Sequence, residues 1–148
     1  RWAGQGGRLA VGSDSNIRIA LAEELRTLDY SQRLRDHTRA AFATDRMSTG
    51  RRLFEQVLRG GAQAAGRRTG RLEAGRWADM LALDTTSVIL HGFSEDTVLD
   101  AWIFAGDDRL VSDVWSAGRH KVMQGRHVAR TEIAADYARA VDELKGAL

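Results

Sequence analysis

The chain has 148 residues, of which 43% are hydrophobic and 28% are charged, and its formal net charge is +2. These values are typical of an ordinary globular domain, and the spread of the arginines gives no reason to expect a nucleic-acid partner. The sequence has no cysteine, which excludes disulfides and thiolate metal sites. No stretch resembles a signal peptide or a membrane span of roughly 20 residues, so a cytoplasmic protein without membrane contact is expected.

Residues 8–12 form a short apolar run that predicts a strand, and the polar tip Ser13, Asp14, Ser15 and Asn16 follows it. In an α/β barrel the chemistry lies where the C-terminal end of a strand meets the next loop, which favours a catalytic Asp14. The alternative is that Asp14 or Ser15 only caps the following helix.

Apolar residues at helical spacing predict a first helix from residue 17 to about residue 35: Ile17, Leu21, Leu25, Leu28 and Leu34. Ser15 or Asn16 is the natural N-cap. Residues 36–45 are expected to continue the helix or to form a helical connection.

Ser48 and Thr49 open a second predicted helix, whose apolar face is formed by Leu53, Phe54, Val57 and Leu58. Gly60 and Gly61 continue it, although a glycine inside a helix costs about 1 kcal/mol against alanine. Close approach of a neighbouring helix or strand would explain them. Gly66 is expected just beyond the C-terminus.

Beyond residue 70 the pattern changes to short strands separated by glycine turns. The predicted strands are 79–84, which is expected to be buried, 98–104, with Trp102 and Phe104 on one face, 110–115, 121–123 and 127–129. Ala117 and Gly118 predict a hairpin, and Gln124 and Gly125 a further turn.

Thr131 is the expected cap of a last helix, whose apolar stripe is Ile133, Tyr137, Val141, Leu144 and Leu148. This stripe is expected to pack on the β unit or to cross to the first part of the chain. The predicted units are therefore residues 1–69, a small, mostly β unit at 70–130, and a C-terminal helix at 131–148.

This order of elements resembles the C-terminal third of the amidohydrolase superfamily. The segment 72–84 (LEAGRWADMLALD) is similar to the strand by which those chains return to the small domain beside the barrel. The segments 111–119 and 124–126 are similar to the closing hairpin of that domain.

Longer segments narrow the resemblance to formimidoylglutamate deiminases of histidine degradation. They are 12–16 (GSDSN), 22–35 (AEELRTLDYSQRLR), 48–53 (STGRRL), 60–64 (GGAQA) and 99–106 (LDAWIFAG). The likeness covers nearly the whole chain, and related aminohydrolases usually carry other residues after the barrel aspartate.

The resemblance implies the α/β fold class: the last strand and helices of a metal-dependent hydrolase (β/α)8 barrel, a small β-sandwich-like domain and a C-terminal helix. It implies one divalent metal, normally Zn²⁺, bound in part by Asp14. A metal-bound water is acidic enough to serve as a nucleophile near neutral pH. The implied reaction converts N-formimino-L-glutamate and water to N-formyl-L-glutamate and ammonia, with Asp14 accepting the proton of the attacking water.

The remaining site predictions concern neighbours of Asp14. Ser13, Ser15 and Asn16 are candidates for orienting its carboxylate, and their alternative roles are turn and cap residues. Arg18 is a candidate for binding a substrate carboxylate. The alternative is that Arg18 is only a solvated residue of the helix.

Two further sets of side chains are expected not to take part in the chemistry. The resemblance implies histidine metal ligands from earlier strands, including a His-x-His pair, which are expected upstream of Arg1. The four histidines present, His37, His91, His120 and His127, have no metal-ligand spacing. The aromatic residues Trp77, Trp102, Phe104 and Trp115 are expected in the core of the small domain and in its contact with the barrel, rather than on a stacking surface.

The chain is expected to be part of a longer protein, inactive alone, that needs the N-terminal part of the barrel, binds a small-molecule substrate and forms a homodimer. Two alternatives remain. One is another aminohydrolase of the superfamily, acting on a purine or pyrimidine. The other is a non-catalytic interaction module, which predicts that residues 1–148 unfold in one cooperative transition.

Overall fold

A computed structural model of the chain describes residues 2–147. Within that range the α-helices are α1 (Leu21–Asp36), α2 (Thr49–Ala64), α3 (Asp96–Asp100) and α4 (Arg130–Gly146). The strands are β1 (Met80–Leu83), β2 (Val111–Ser116), β3 (Arg119–Met123) and β4 (Arg126–His127).

Helix α2 has the predicted position because its start and stop signals are local. The Ser48 hydroxyl accepts a hydrogen bond from the Arg51 backbone N–H at 3.2 Å. Gly66 follows the helix with φ of +62°. The N–H of Arg67 donates to the Ala62 carbonyl at 3.1 Å, which closes the helix end with the bond pattern that such a left-handed residue permits.

The adjacent glycines Gly60 and Gly61 in the last part of α2 differ. A Cβ at Gly60 would collide with the backbone carbonyl of Leu9, so the expected close approach is confirmed, and the approaching segment is 8–12. A Cβ at Gly61 would meet nothing within 4 Å. Of this pair, only Gly60 is therefore required by packing.

Residues 8–12 do not form the predicted strand, although they lie against α2. Strand backbone is stable when a neighbouring strand pairs with its N–H and C=O groups. The ladders among the described residues join only β1, β2, β3 and β4. Without a pairing partner, the segment remains irregular.

Helix α1 begins at Leu21, four residues later than predicted, and neither Ser15 nor Asn16 caps it. Ile17 is fully exposed, so the apolar stripe does not extend that far. Ala20 precedes the helix and offers no side-chain oxygen. The helix ends at Asp36 because His37 adopts the left-handed conformation, with φ of +51°, and residues 38–45 form a loop instead of continuing the helix.

The predicted strand at 98–104 is wrong. Helix α3 continues there into one wide turn, Ala101–Ala105, closed by a 2.8 Å bond from the Gly106 N–H to the Ala101 carbonyl. Ala101, Trp102 and Ile103 are all buried, whereas a strand would turn alternate side chains to opposite faces. The segment packs against α1 and α2, so its consecutive buried positions need apolar residues.

The sheet is antiparallel in the order β1, β2, β3, β4, and the predicted hairpin is confirmed. Its turn residues Ala117 and Gly118 have φ of +51° and +77°, and Gln124 and Gly125 have +49° and +72°. These values match the turns that suit the twist of paired strands. Strand β1 is only half-buried rather than buried, and Leu81 is 37% exposed.

Helix α4 forms, but Thr131 does not cap it, since the helix begins directly after Ala129. Its predicted packing is not observed: Ile133, Tyr137 and Leu144 are 54%, 71% and 67% exposed. No residue of α4 within the described range is buried, because no described element covers this face. Leu148, predicted to extend the stripe, lies outside the described residues.

One apolar core connects the two sides of residue 70. Its buried members are Ala22, Leu25, Leu53, Val57, Leu90, Ala101, Trp102, Ile103 and Leu110. The segment from α3 to Leu110 thus packs on α1 and α2, and Leu83 of β1 and Val111 of β2 lie against the same core. None of the helices in the described part of the chain has the length and apolar character that crossing a membrane requires.

Candidate functional site

Asp14 lies in a tight turn between the segment packed on α2 and the start of α1. The turn is closed by a 2.8 Å bond from the Asn16 N–H to the Ser13 carbonyl. Asp14 has φ of +46°, a left-handed conformation that aspartate tolerates better than most residues. Its side chain is exposed and has no hydrogen-bond partner among residues 2–147, so both carboxylate oxygens are available to a ligand.

The neighbouring polar side chains contact α1 rather than Asp14. The Asn16 amide donates to Glu24 Oε1 at 2.9 Å. Arg18 Nε lies 3.1 Å from Glu23 Oε2 in an exposed ion pair. The hydroxyls of Ser13 and Ser15 make no hydrogen bond to the Asp14 carboxylate. The structure therefore brings Asn16 and Arg18 onto the first turn of α1.

The start of α1 is held by a residue far away in the sequence. The two carboxylate oxygens of Asp108 accept the backbone N–H groups of Leu21 and Ala22 at 2.6 and 3.0 Å. A carboxylate there satisfies two otherwise unpaired donors and lies at the positive end of the helix dipole. One turn later, Arg26 donates to the carbonyls of Ile103 and Gly106 at 2.7 and 2.5 Å.

Charged groups also lie beside this anchor. A hydrogen bond from the Arg109 side chain holds the pKa of Asp107 below its ordinary value, and Arg18 adds a smaller effect of the same sign. Arg18 is therefore near enough to the loop before β2 to stabilise its negative charge. A substrate carboxylate at Arg18 would compete with both Glu23 and Asp107.

The metal ligands implied by the resemblance are not complete within the described range. No group of three or more His, Asp or Glu side chains there could hold a metal ion. Asp14 fits the role of one oxygen ligand because its carboxylate is exposed and unpaired.

The histidines lie away from Asp14 in roles of their own. His120 Nε2 is 2.8 Å from Asp113 Oδ1, and its ring stacks on Trp115 with centroids 4.4 Å apart. His127 Nδ1 accepts the Ala129 N–H at 3.2 Å. His37 ends α1, and His91 follows a short turn on the surface.

The aromatic residues are divided between the core and the surface. Trp102 is fully buried and meets Phe54 edge-on at 5.6 Å, which confirms the core role for this residue. Phe104 stacks on Tyr30 at the margin of the core. Trp77 is 50% exposed, with the Arg67 guanidinium 4.7 Å from its ring centre.

Sequence reasoning missed Glu24, Arg26 and Asp108 as residues that hold the Asp14 turn and α1. Glu24 and Arg26 stand in a segment singled out for its likeness to a family, but nothing in the pattern shows that they bind backbone or Asn16. Asp108 is 87 residues from Leu21, and no local pattern indicates a partner at that distance.

Comparison with known proteins bears on this arrangement. No protein-family model matches the chain. The chain is 45% identical, over 141 residues and 95% of its length, to formimidoylglutamate deiminase from Pseudomonas aeruginosa, of which it spans 31%.

Solved structures give the same picture. A crystal structure of an amidohydrolase from Brucella melitensis superposes with a TM-score of 0.83 at 40% identity, covering 96% of this chain and 31% of that one. A zinc-bound adenosine deaminase from Xanthomonas campestris superposes with a TM-score of 0.77 at 24% identity, covering 97% of this chain and 33% of that one, which is a likeness of fold alone. The predicted resemblance is thus confirmed: nearly the whole chain corresponds to about a third of a formimidoylglutamate deiminase and has the fold of the matching part of an amidohydrolase.

Proposed function

We propose that this chain supplies about a third of a hydrolase that deiminates N-formimino-L-glutamate in histidine degradation. The observation that carries the proposal is the 45% identity, over 95% of the chain, to a formimidoylglutamate deiminase. The structural likeness to an amidohydrolase, with a TM-score of 0.83, supports it.

In this proposal residues 8–12 become the last strand of a (β/α)8 barrel once the other strands are present to pair with them. Leu9 of this segment already lies against Gly60 of α2. Asp14 then stands at the C-terminal end of that strand, where barrel enzymes carry their chemistry. The sheet of β1 to β4 would form part of a small β-sandwich-like domain at 70–130.

The reaction adds water to the formimino carbon and breaks the bond from that carbon to its terminal nitrogen, which leaves as ammonia. A divalent metal, for which we propose Zn²⁺, supplies a water acidic enough to lose its proton near neutral pH. Asp14 would be one metal ligand and would accept the proton of the attacking water, the role of a general base.

The roles proposed for the neighbours of Asp14 follow from their positions. Asn16 is held by Glu24, and Ser13 and Ser15 have side chains free to turn toward Asp14 when a metal and substrate are present. Arg18 is proposed to meet a substrate carboxylate, for which its exposed guanidinium is suited. The complete protein is proposed to be a cytoplasmic homodimer.

The test is ammonia release by the full protein from formiminoglutamate, with adenosine and guanine as competing substrates. We expect formiminoglutamate to be the preferred substrate and Asp14→Asn to lower kcat by about 10² to 10⁴, the usual worth of a general base. Asp45→Asn, which changes an aspartate in the loop before α2, is the matched control and is expected to be neutral. If the protein prefers a purine, the proposed substrate is wrong. If Asp14→Asn leaves kcat unchanged, the proposed role of Asp14 is wrong.

A further inference from the structure

The turn that carries Asp14 has little to hold it apart from its contacts with α1. One backbone hydrogen bond closes it, Asp14 is in a left-handed conformation, and Ile17 and Ile19 beyond it are 100% and 85% exposed. A segment with so few buried contacts opens at low cost in free energy. A carboxylate that must be placed within a fraction of an ångström for catalysis needs further support.

The side-chain bond from this turn to the body of α1 is the 2.9 Å contact between Asn16 Nδ2 and Glu24 Oε1. It bridges eight residues and fixes the last residue of the turn, two positions after Asp14. A hydrogen bond to a charged acceptor of this kind is about twice as strong as one between neutral groups.

Helix α1 is a rigid base for that bond because its first turn is fixed from the other side. Asp108 binds the N–H groups of Leu21 and Ala22, and Arg26 binds two carbonyls of the wide turn after α3. Ala22 and Leu25, on either side of Glu24, are completely buried in the core. Glu24 therefore projects from a fully anchored turn of helix.

We propose that Glu24 is a positioning residue for Asp14, acting through Asn16. It holds the turn in the conformation that directs the Asp14 carboxylate toward a metal. This inference rests on the proposed function, in which Asp14 is a metal ligand. Glu24 touches neither metal nor substrate, and its effect is on how well Asp14 is placed.

The experiment measures Zn²⁺ affinity and the visible spectrum of the Co²⁺-substituted full protein, together with kcat and KM. We expect Glu24→Ala to weaken metal binding by about tenfold or more, the usual effect of removing a residue that orients a ligand, and to change the Co²⁺ spectrum. Glu24→Gln retains an oxygen acceptor for Asn16 and is expected to restore both to near the wild-type values. Asn16→Ala should match Glu24→Ala, and the double variant should be no worse than either.

Glu55→Ala is the matched control. It removes a helical glutamate that pairs with Arg51 and Arg59 on α2, without contact to the Asp14 turn. It is expected to leave metal affinity and the Co²⁺ spectrum unchanged. The inference would be overturned if Glu24→Ala had wild-type metal affinity, Co²⁺ spectrum and kcat. It would also be overturned if Glu24→Gln were as impaired as Glu24→Ala.

An Asp14→Ala variant separates this inference from the proposed function. If Asp14→Ala lowers metal affinity and Glu24→Ala does not, the positioning role fails and the proposed function stands. If Asp14→Ala itself retains wild-type metal affinity, the proposed function of Asp14 fails, and the positioning role with it.

Discussion

Helices α1 and α2 pack in the same core, but their N-termini are capped in different ways. Helix α2 begins after Ser48, whose hydroxyl accepts the N–H of Arg51 at 3.2 Å. Helix α1 begins after Ala20, and its first N–H groups bind Asp108 instead. Both solutions satisfy donors that a helix leaves unpaired, yet only the first is visible in the local sequence.

The segment that contains α3 and Asp108 supplies a carboxylate to the N-terminus of each helix. Asp100 Oδ1 accepts the N–H of Gly50 at 2.7 Å, so α2 also receives a carboxylate from this segment. A Cβ at Gly50 would lie 2.8 Å from the backbone nitrogen of Asp100. The N-termini of both helices are thus bound by carboxylates of one segment, Asp108 for α1 and Asp100 for α2. Helix α1 depends more on this segment, because α2 is also capped by Ser48.

The largest expected effect tests the approach of residues 8–12 to α2. Gly60→Ala is expected to destabilise the protein by about 3 kcal/mol, because its Cβ would meet rigid backbone at Leu9. Gly61→Ala, the neighbouring control with open space around it, should be neutral or stabilise the helix by up to about 1 kcal/mol. Denaturant midpoints of the two variants check the contrast, and equal midpoints would contradict the close approach.

Removal of the distant cap is expected to rank next. Asp108→Ala leaves two helix N–H groups without their acceptor and should cost about 2 kcal/mol. Asp136→Ala, which removes an exposed carboxylate from α4, is the control, expected to change stability by less than about 0.5 kcal/mol. If thermal unfolding gives the same midpoint for both variants, α1 does not depend on Asp108.

The local cap should matter less. Ser48→Ala is expected to cost about 1 kcal/mol, since Asp100 still binds the first turn of α2. Ser15→Ala removes a hydroxyl with no hydrogen bond in the described chain, and its stability should be that of the wild type. A loss for Ser48→Ala equal to that for Asp108→Ala would mean that Asp100 gives α2 no additional support.

The smallest effect has the opposite sign and concerns a third carboxylate, Asp29 of α1. Burial raises the pKa of Asp29 above its ordinary value, and Arg33 opposes the change in part. Asp29 is 1% exposed, and its Oδ1 has no hydrogen-bond partner among residues 2–147.

Because the pKa of Asp29 is higher in the folded state than in the unfolded state, protonation of Asp29 favours folding, and this stabilisation is fully present only below the unfolded-state pKa. It is lost as the pH rises through the folded-state pKa. Asp29→Asn is therefore expected to stabilise the protein at pH 7 by somewhat less than about 1 kcal/mol, with the gain vanishing near pH 4. Melting temperatures at the two pH values provide the measurement, and a destabilised variant at pH 7 would contradict the argument.

The parts of the fold that sequence predicted well depend on signals within a few residues. Ser48 and Gly66 delimit α2, and the pairs at 117–118 and 124–125 place the hairpin turns. The predictions were wrong where contacts between residues far apart in the sequence determine the local structure. Residues 98–104 contain β-branched and aromatic side chains, but the segment packs against α1 and α2 with Ala101, Trp102 and Ile103 all buried, and it is helical.

The candidate site could be predicted only in part for the same reason. The position of Asp14 after an apolar run left a helix cap and a catalytic role both open, and the resemblance of the downstream segments selected the catalytic role. The structure places Asp14 in an exposed turn with a left-handed conformation. The contact of Asn16 with Glu24 depends on α1 starting at Leu21, which in turn depends on Asp108. No pattern in residues 12–30 contains that information.

The distant cap of α1 also affects the order in which the chain acquires its structure during synthesis. Asp108 is made 87 residues after Leu21, so a ribosome must translate the whole intervening sequence before the start of α1 can be capped. Contacts between residues so far apart form late, after the entropy of closing a long loop has been overcome. A nascent chain halted before residue 108 would therefore present α1 without its cap.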